Sequence, residues 1–516
     1  MESNISSYIA KKSGLRQVKI GHQNQKQLFV SFFVDTKAKP TQMEREILTT
    51  KRKALRINLR DDIYGSFAEI GAGQEVARFF FMAGGASGTI AKTISAYDKS
   101  FSDHLYDTTH SRRYVSEERL TDMLDKEYDE LSHLLSEKRG ENTLFFTFAD
   151  TLSTINFTKT NEGNGWLGMK FQLEKGQKPN VVVMHVELLE NDTFLQQSTI
   201  GIMGVNLIYA CYMHYKTPNI FIQSLLDNLS TDRIRVTMLR MSGPQLDYID
   251  NRLLGVQLVK NDMCIATFFD RNGKIQSPAE MLYKKNVIAL RGSFRPITYA
   301  GFDVLKSSFK TFKKELPFDK ENTLSVCEIT LNNLLQKGEF NAMDFLQRVD
   351  LLNENGQHVM VSNLRYFYKL AQYFSQFKIL NIRLVLGVDT LSKVLEEHYY
   401  EDLKGGILEA FGALFIKNMK LYVYPGFDAV EEQRKTACKL MKETNSLWPL
   451  YQYLLQQEKI MDMEEVNSKY MNLSSQTVVN MIEDGKAGWE NFVPKSIARS
   501  IKAKELFGFT PSGKRK

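Results

Sequence analysis

The chain has 516 residues, 43% of them hydrophobic and 25% charged, with a formal net charge of +7. That length exceeds one ordinary core and suits two to four domains at about 150 residues each. The composition is that of a soluble globular protein and argues against long disorder. The four cysteines, Cys211, Cys264, Cys327 and Cys438, stand far apart, so no paired-cysteine metal or redox site is expected, and a reducing compartment suits them. The eight histidines form no zinc motif, so no metal is expected.

No basic stretch followed by an apolar core opens the sequence, so no signal peptide is expected and a cytoplasmic location is the default. The longest uncharged run, from Phe194 to Tyr215, contains Gln196, Gln197, Asn206 and His214. Those groups are costly in hydrocarbon, so a buried helix is expected there rather than a membrane span. Lysine and arginine crowd the first sixty residues and the stretch from Lys495 to Lys516, leaving a mildly acidic middle. Basic ends can bind nucleic acid or acidic partners. Without aromatics interleaved for base stacking the nucleic-acid signal is weak, and solvated tails are the plainer reading.

In chain order, residues 1–53 read as a basic arm with one strand over 28–34. Thr41 to Glu44 forms a capping box before a basic helix. An α/β domain is expected over 54–300. Its opening, Phe67 to Asp98, reads as strand, glycine turn, helix, second glycine turn and second strand. Ser116 is placed to cap a long helix with Leu120, Leu124, Glu127, Leu131 and Leu135 at the helical period. Strands follow over 143–148, 166–173 and 181–189, then the apolar helix from Phe194, and further strands over 233–239, 264–269 and 287–290.

Residues 296–322 are lysine-rich and weakly patterned, which places a domain boundary at about residue 300. A second, smaller α/β unit is expected over 301–428, with parallel strands at 358–361, 382–386 and 421–424. A helical C-terminal region with a basic tail is expected over 429–516, one of its helices ending at Gly485. The fold class expected is therefore α/β: a mixed, largely parallel sheet domain with a Rossmann-like start, the second unit, and the helical end.

The glycine turn is the main candidate for chemistry. Backbone N–H groups at a helix start carry partial positive charge, and glycine lets a ligand approach closely. Gly71 and Gly73 supply the turn and Gln74 begins the helix; Glu69 precedes the turn, and Asp98 follows the second strand, where an acid can accept from ribose hydroxyls. A tight strand-to-helix turn without a ligand is the competing reading. Asp103 and His104 are candidates for acid–base catalysis, against an ordinary polar loop. The window Ala86 to Thr93 ends in Lys92-Thr93 at P-loop spacing, but alanine replaces both glycines that cradle phosphate. His185 and Glu187 share one face of an apolar strand, as a core pair or a pocket wall. Lys284, Lys285, Arg291 and Arg295 surround a strand and could grip an anion, against ordinary surface charge. Gly387 to Thr390 follows a strand and opens a helix, where capping is the competing reading.

Glu69-Ile-Gly-Ala-Gly73 resembles the first motif of S-adenosylmethionine-dependent methyltransferases and the opening of dinucleotide-binding Rossmann units. Glu75 stands where the third glycine usually falls. That departure puts a carboxylate beside a bound phosphate and favours a cofactor without one. The resemblance implies S-adenosylmethionine or a nicotinamide or adenine nucleotide as cofactor. From about Ala54 to Phe509 the chain also resembles a widespread bacterial family of similar length, through Ile70 to Arg78, Ser95 to Asp98, Leu225 to Ser230, Leu282 to Lys285, Arg291 to Pro296 and Gly405 to Phe411. Members of that family carry inherited names such as nicotinamide mononucleotide adenylyltransferase and TonB-box protein, and the resemblance implies no established activity. The motifs the first name implies, HxGH and Ile-Ser-Ser-Thr-x-x-Arg, are absent from the sequence. The second implies a secreted barrel, which the missing leader opposes.

Two functional classes follow. One is a cytoplasmic enzyme that binds a small-molecule nucleotide at the turn and performs methyl or nucleotidyl transfer. The other is a non-catalytic homo-oligomeric assembly or scaffold protein that uses its basic ends for partners.

Overall fold

A computed structural model describes residues 45–71, 73–107, 113–336, 339–416, 418–428, 433–442, 444–471 and 473–511. The strand expected over 28–34, the capping box at Thr41 and the last basic residues lie outside them. The first described helix, α1 (Thr50–Asn58), is capped by Thr49, whose side chain accepts from the Arg52 N–H.

The first sheet has six strands: β1 (Ile63–Gly71), β2 (Ile90–Ile94), β3 (Leu144–Ser153), β4 (Gly163–Phe171), β5 (Asn180–Leu188) and β6 (Ile234–Ser242), in the order β2-β1-β3-β4-β5-β6. β1 pairs in parallel with β2 and β3; the remaining pairs are antiparallel. β1 is buried along almost its whole length, as a strand flanked on both edges should be.

Four helices position the glycine turn. α2 (Glu75–Ala83) connects β1 to β2, and α3 (Lys99–Tyr106) follows β2. α4 (Glu117–Arg139) starts at Ser116, whose hydroxyl accepts from the Arg119 N–H, with Glu117 and Glu118 at its positive end. It buries Leu120, Leu124 and Leu131 at the expected spacing. The polar break, Glu127, is buried too: it accepts from Tyr106 Oη (2.8 Å) and pairs with Lys92 (2.5 Å). Lys92, the lysine of the P-loop-like window, is thereby paired with the carboxylates of α4. α5 (Thr193–Met213) is the expected apolar helix. A Cβ on its Gly204 would lie 2.4 Å from Val76, so α2 and α5 approach more closely than a side chain would permit. Among the described residues no helix is long and apolar enough to cross a membrane.

Arg45 and Lys53, read from sequence as part of the basic arm, belong to this packed unit. Lys53 is fully buried and bonds Asp227 (2.7 Å), Asn206 (2.7 Å) and the Ser224 carbonyl (3.3 Å), while Arg45 makes a two-pronged pair with Asp227. A buried ammonium is tolerated only with such partners.

The second sheet has eight strands: β7 (Ala266–Phe269), β8 (Ile275–Gln276), β9 (Asn286–Arg291), β10 (Thr323–Thr330), β11 (His358–Ser362), β12 (Asn381–Gly387), β13 (Met419–Tyr424) and β14 (Ile460–Asp462). Their order is β14-β13-β12-β9-β10-β11-β7-β8, and the six strands from β14 to β11 run parallel. Counted from β9, that is the doubly wound order 3-2-1-4-5-6 of dinucleotide-binding folds. It differs from the expected division. The sheets separate between Ser242 and Ala266, and β9, assigned from sequence to the first domain, sits at the centre of the second. The lysine-rich segment expected to be a boundary forms a helix, α6 (Tyr299–Glu315), capped by Thr298, and then β10. With eight strands to the first sheet's six, the second unit is not the smaller of the two.

The C-terminal region carries α7 (Trp448–Gln456), α8 (Ser475–Glu483) and α9 (Lys495–Lys504), and lends β14 to the second sheet. α8 ends as its sequence suggests. Gly485 has φ +65°, its N–H reaches the Ile482 carbonyl (3.0 Å), and the Lys486 N–H reaches Met481 (2.8 Å).

Candidate functional site

The glycine turn leaves β1 at its C-terminal end and enters α2. Gly71 has φ +76°, and a Cβ there would fall 2.1 Å from the Leu152 carbonyl oxygen, so the position admits only glycine. A Cβ on Gly73 would fall 2.1 Å from Asp150 Oδ1. The turn is thus laid directly against β3, and the side chain it covers is a carboxyl group.

Glu69 and Asp150 are register partners on the parallel strands β1 and β3. Both are buried, at 3% and 0% exposure. Glu69 reaches the start of α2, where its two oxygens accept from the Val76 N–H (2.9 Å) and the Ala77 N–H (3.2 Å). Among the described residues neither oxygen of Asp150 has a hydrogen-bond partner. Burial pushes Glu69 up to about 7, against the pull of its two amides and with the negative charge of Glu75 adding to the rise. Burial raises Asp150 well above the carboxylate range, the neighbouring charge of Glu69 raises it further, and the Ile70 amide pulls the other way. Both shifts favour the protonated forms, and the two amides make Glu69 the carboxyl that more readily carries charge.

Tyr114 completes the wall. Its ring lies beside Gly71, with Cε1 3.4 Å from where a Cβ would stand, and its hydroxyl donates to the carbonyls of Ala96 (3.2 Å) and Tyr97 (3.3 Å). Burial pushes its phenol up to about 12. Thr151 Oγ1 donates to the Tyr114 carbonyl (2.7 Å). Tyr114 therefore ties the glycine turn to the Ala96–Asp98 segment.

The candidates read from sequence divide accordingly. Glu69, Gly71 and Gly73 come together around Asp150. Gln74 is exposed and turns back to the Gly71 carbonyl (3.1 Å) without capping α2. Asp98 lies four residues past β2, exposed, and caps α3 by accepting from the Phe101 N–H (2.8 Å). Asp103 is buried against Arg119, which also donates to Ser102 (3.1 Å). His104, the next residue of α3, is exposed. Asp150 and Tyr114 were missed. A lone aspartate after Phe146-Thr-Phe-Ala reads as the end of a strand, and only its place in the alternation with Phe146 and Phe148 marked it as inward-facing.

The other candidate groups find partners. His185 is buried against Trp166, its Nδ1 2.6 Å from Thr237 Oγ1, and burial lowers it to about 4. Glu187 pairs with Arg235 (3.0 Å) on the wall of a cavity of about 410 Å3 that Glu190, Gln196 and Gln376 also line. At the C-terminal edge of the second sheet Arg291 makes a two-pronged pair with the buried Glu328, which also accepts from Ser362 Oγ (2.5 Å). Arg295 pairs with Asp344 (2.6 Å), and Lys285 donates to Asn322 (2.7 Å). Asp389 does not cap the helix after β12; it pairs with Lys435 (2.8 Å). These charges satisfy one another, whereas the Asp150 oxygens have no hydrogen-bond partner among the described residues.

No protein-family model matches the chain, and no curated protein matches its sequence. Solved structures match part of the chain at low TM-scores. The competence/damage inducible protein CihA from Agrobacterium tumefaciens matches at 17% identity and a TM-score of 0.21, over 30% of this chain and 88% of that one. A competence-damaged protein (CinA) superfamily protein from Klebsiella pneumoniae matches at 10% identity and a TM-score of 0.23, over 31% of this chain and 96% of that one. One from Escherichia coli matches at 14% identity and a TM-score of 0.21, over 31% and 90%.

Proposed function

We propose that this chain is an enzyme that binds a nucleotide-containing ligand at the turn between β1 and α2 and performs group transfer on it. One observation carries the reading: Asp150 is a fully buried carboxyl with no hydrogen-bond partner among the described residues, packed against Gly73 and beside Glu69. An unsatisfied buried carboxyl costs about 1–3 kcal/mol or more, a cost that catalytic and binding sites commonly carry. In this reading Gly71 and Gly73 let the turn lie close on β3, and Tyr114 with the Asp98 segment forms the facing wall. The Glu69–Asp150 pair serves as the acid–base device.

The test is a thermal-shift panel of S-adenosylmethionine, NAD, NADP, ATP, ADP-ribose and nicotinamide mononucleotide on wild type, Asp150→Asn and Tyr114→Phe. A ligand at about a hundred times its dissociation constant adds roughly 2.7 kcal/mol, a visible rise in Tm. A selective shift that both variants weaken supports the site. No shift with any ligand, and no nucleotide carried through purification by mass spectrometry, transfers the assignment to a non-catalytic assembly.

A further inference from the structure

We infer that the cavity beside Glu187 is a binding site for a free α-amino acid, whose carboxylate meets Arg235 and whose ammonium meets Glu187 and Glu162. The cavity, of about 410 Å3, lies where the C-terminal ends of β3 and β5 face Gln376, the residue that closes the helix Phe367–Ser375 of the second unit. Small-molecule sites commonly have volumes of about 300–1,000 Å3.

The frame of the cavity is fixed by the chain itself. Gln196 is buried and ties the rim together: its Oε1 accepts from the Ile155 N–H (2.8 Å), and its Nε2 donates to the Glu190 carbonyl (2.6 Å). A Cβ on Gly163 would fall 2.5 Å from the same Oε1, so the loop before β4 is laid directly on this amide. The Glu190 carboxylate is closed as well, by Arg233 on one oxygen (2.7 Å) and by Thr199 Oγ1 on the other (2.6 Å). A frame already held by hydrogen bonds needs little ordering when a ligand enters.

The other charged groups of the wall are not closed. Arg235 gives only Nη1 to Glu187 Oε2 (3.0 Å). Among the described residues its Nε and Nη2 have no partner, and that edge is the one that holds a carboxylate in two prongs. Glu187 Oε1 and the Glu162 carboxylate have no partner among the described residues either. Because Glu187 touches Arg235, the points that hold an anion and a cation are adjacent, as the carboxylate and ammonium of an α-amino acid are. Burial raises Glu187 against the pull of Arg235, and the charge of Glu162 adds to the rise; an ammonium between the two carboxylates offsets that repulsion. Ile155 and Leu189 supply apolar wall for the ligand's side chain. A bare anion would face three carboxylates here, Glu162, Glu187 and Glu190, and a bare amine would leave the Arg235 edge unfilled.

The experiment is isothermal titration of the full chain with the common L-amino acids and, for the tightest of them, with its decarboxylated amine and its deaminated acid, repeated on Glu162→Gln and Arg235→Gln. The expected result is an amino acid with Kd at or below about 1 mM and both analogues at least about tenfold weaker. Arg235→Gln brings the amino acid down to the level of its amine. Glu162 is exposed, so Glu162→Gln leaves the fold intact; it weakens the amino acid about tenfold without weakening the deaminated acid, and it decides the question if Arg235→Gln does not fold. No binding of any amino acid at about 10 mM, either analogue as tight as its parent, or full affinity in Glu162→Gln overturns the inference and leaves the proposed function at the glycine turn untouched.

Discussion

Glu69 and Asp150 stand opposite each other in register on β1 and β3, yet only Glu69 reaches the amides of α2. The asymmetry makes Glu69 the carboxyl that more readily ionises. It also sets the sign of a pH effect. Burial raises Glu69 to about 7, above the value it has when the chain is unfolded, so the folded state holds more protons. Stability from this group is therefore complete below the ordinary carboxylate range and is lost as pH rises through about 7. Urea unfolding of wild type and Glu69→Gln from pH 5 to pH 8 isolates it. The gap between them is expected to move in favour of Glu69→Gln by on the order of 2–3 kcal/mol across that range. A gap that does not change with pH would show that Glu69 titrates normally.

The contact between Gly73 and Asp150 makes a second prediction. A methyl group at residue 73 overlaps the Asp150 carboxyl, both are buried, and overpacking of this kind costs about 1–3 kcal/mol. Removing the carboxyl removes the obstacle. Gly73→Ala is expected to cost much less in an Asp150→Ala background, a coupling that a double-mutant cycle measures directly. Gly71→Ala meets the Leu152 backbone at positive φ, so Asp150→Ala should not relieve it. Equal costs of Gly73→Ala in both backgrounds would place the obstacle elsewhere.

The parts of this molecule legible in its sequence are those governed by near neighbours along the chain. Ser116 as a cap, the leucine spacing of α4, the apolar α5 and the stop at Gly485 depend on residues within one or two turns. Pairing is not local. β9 lies between β10 and β12, its Asn286 opposite both Thr323 and Asn381, and nothing in residues 286–291 announces those partners. The doubly wound order of the second sheet was hidden for that reason. At the site, Glu69, Gly71 and Gly73 were visible because a glycine turn is a local signal. Asp150 comes from a strand about eighty residues later and acquires its meaning only from the register of β1 on β3. Lys53 was misplaced in the same way, since a lysine in a basic stretch looks solvated until Asp227 is seen beside it.

His185 gives a pH effect of the opposite sign. Burial holds the imidazole at about 4, against an ordinary value near 6.5, so the folded state refuses a proton that the unfolded chain accepts. The stability tied to the neutral ring is lost as pH falls from about 6.5 through 4. In His185→Gln the polar contact to Thr237 can persist without a titrating group. Whatever the variant costs at pH 7, its gap from wild type is expected to shrink by roughly 3 kcal/mol on acidification to pH 4. Urea unfolding at pH 7, 5.5 and 4 reads the change, and a constant gap would mean that the buried ring takes up its proton without strain.

The buried Lys53–Asp227–Arg45 cluster separates two ways of breaking an ion pair. Burial alone would raise Asp227, but the hydrogen bonds from Arg45 and Lys53 outweigh it and hold the carboxylate below its ordinary value. Asp227→Asn leaves the Lys53 ammonium fully buried without a counter-ion, a loss of about 3–5 kcal/mol. Lys53→Met replaces the ammonium by an apolar chain of similar length and leaves Asp227 paired with Arg45, so its cost should be clearly smaller. Because Lys53 lies on α1 and Asp227 follows the helix that packs on α5, Asp227→Asn should also raise amide exchange across residues 50–58 before the sheet is affected. Denaturant unfolding combined with hydrogen exchange tests both statements. Equal costs for the two variants, or unchanged exchange in α1, would mean that the helix is held by Ala54 and Ile57 alone and that the charges add nothing to it.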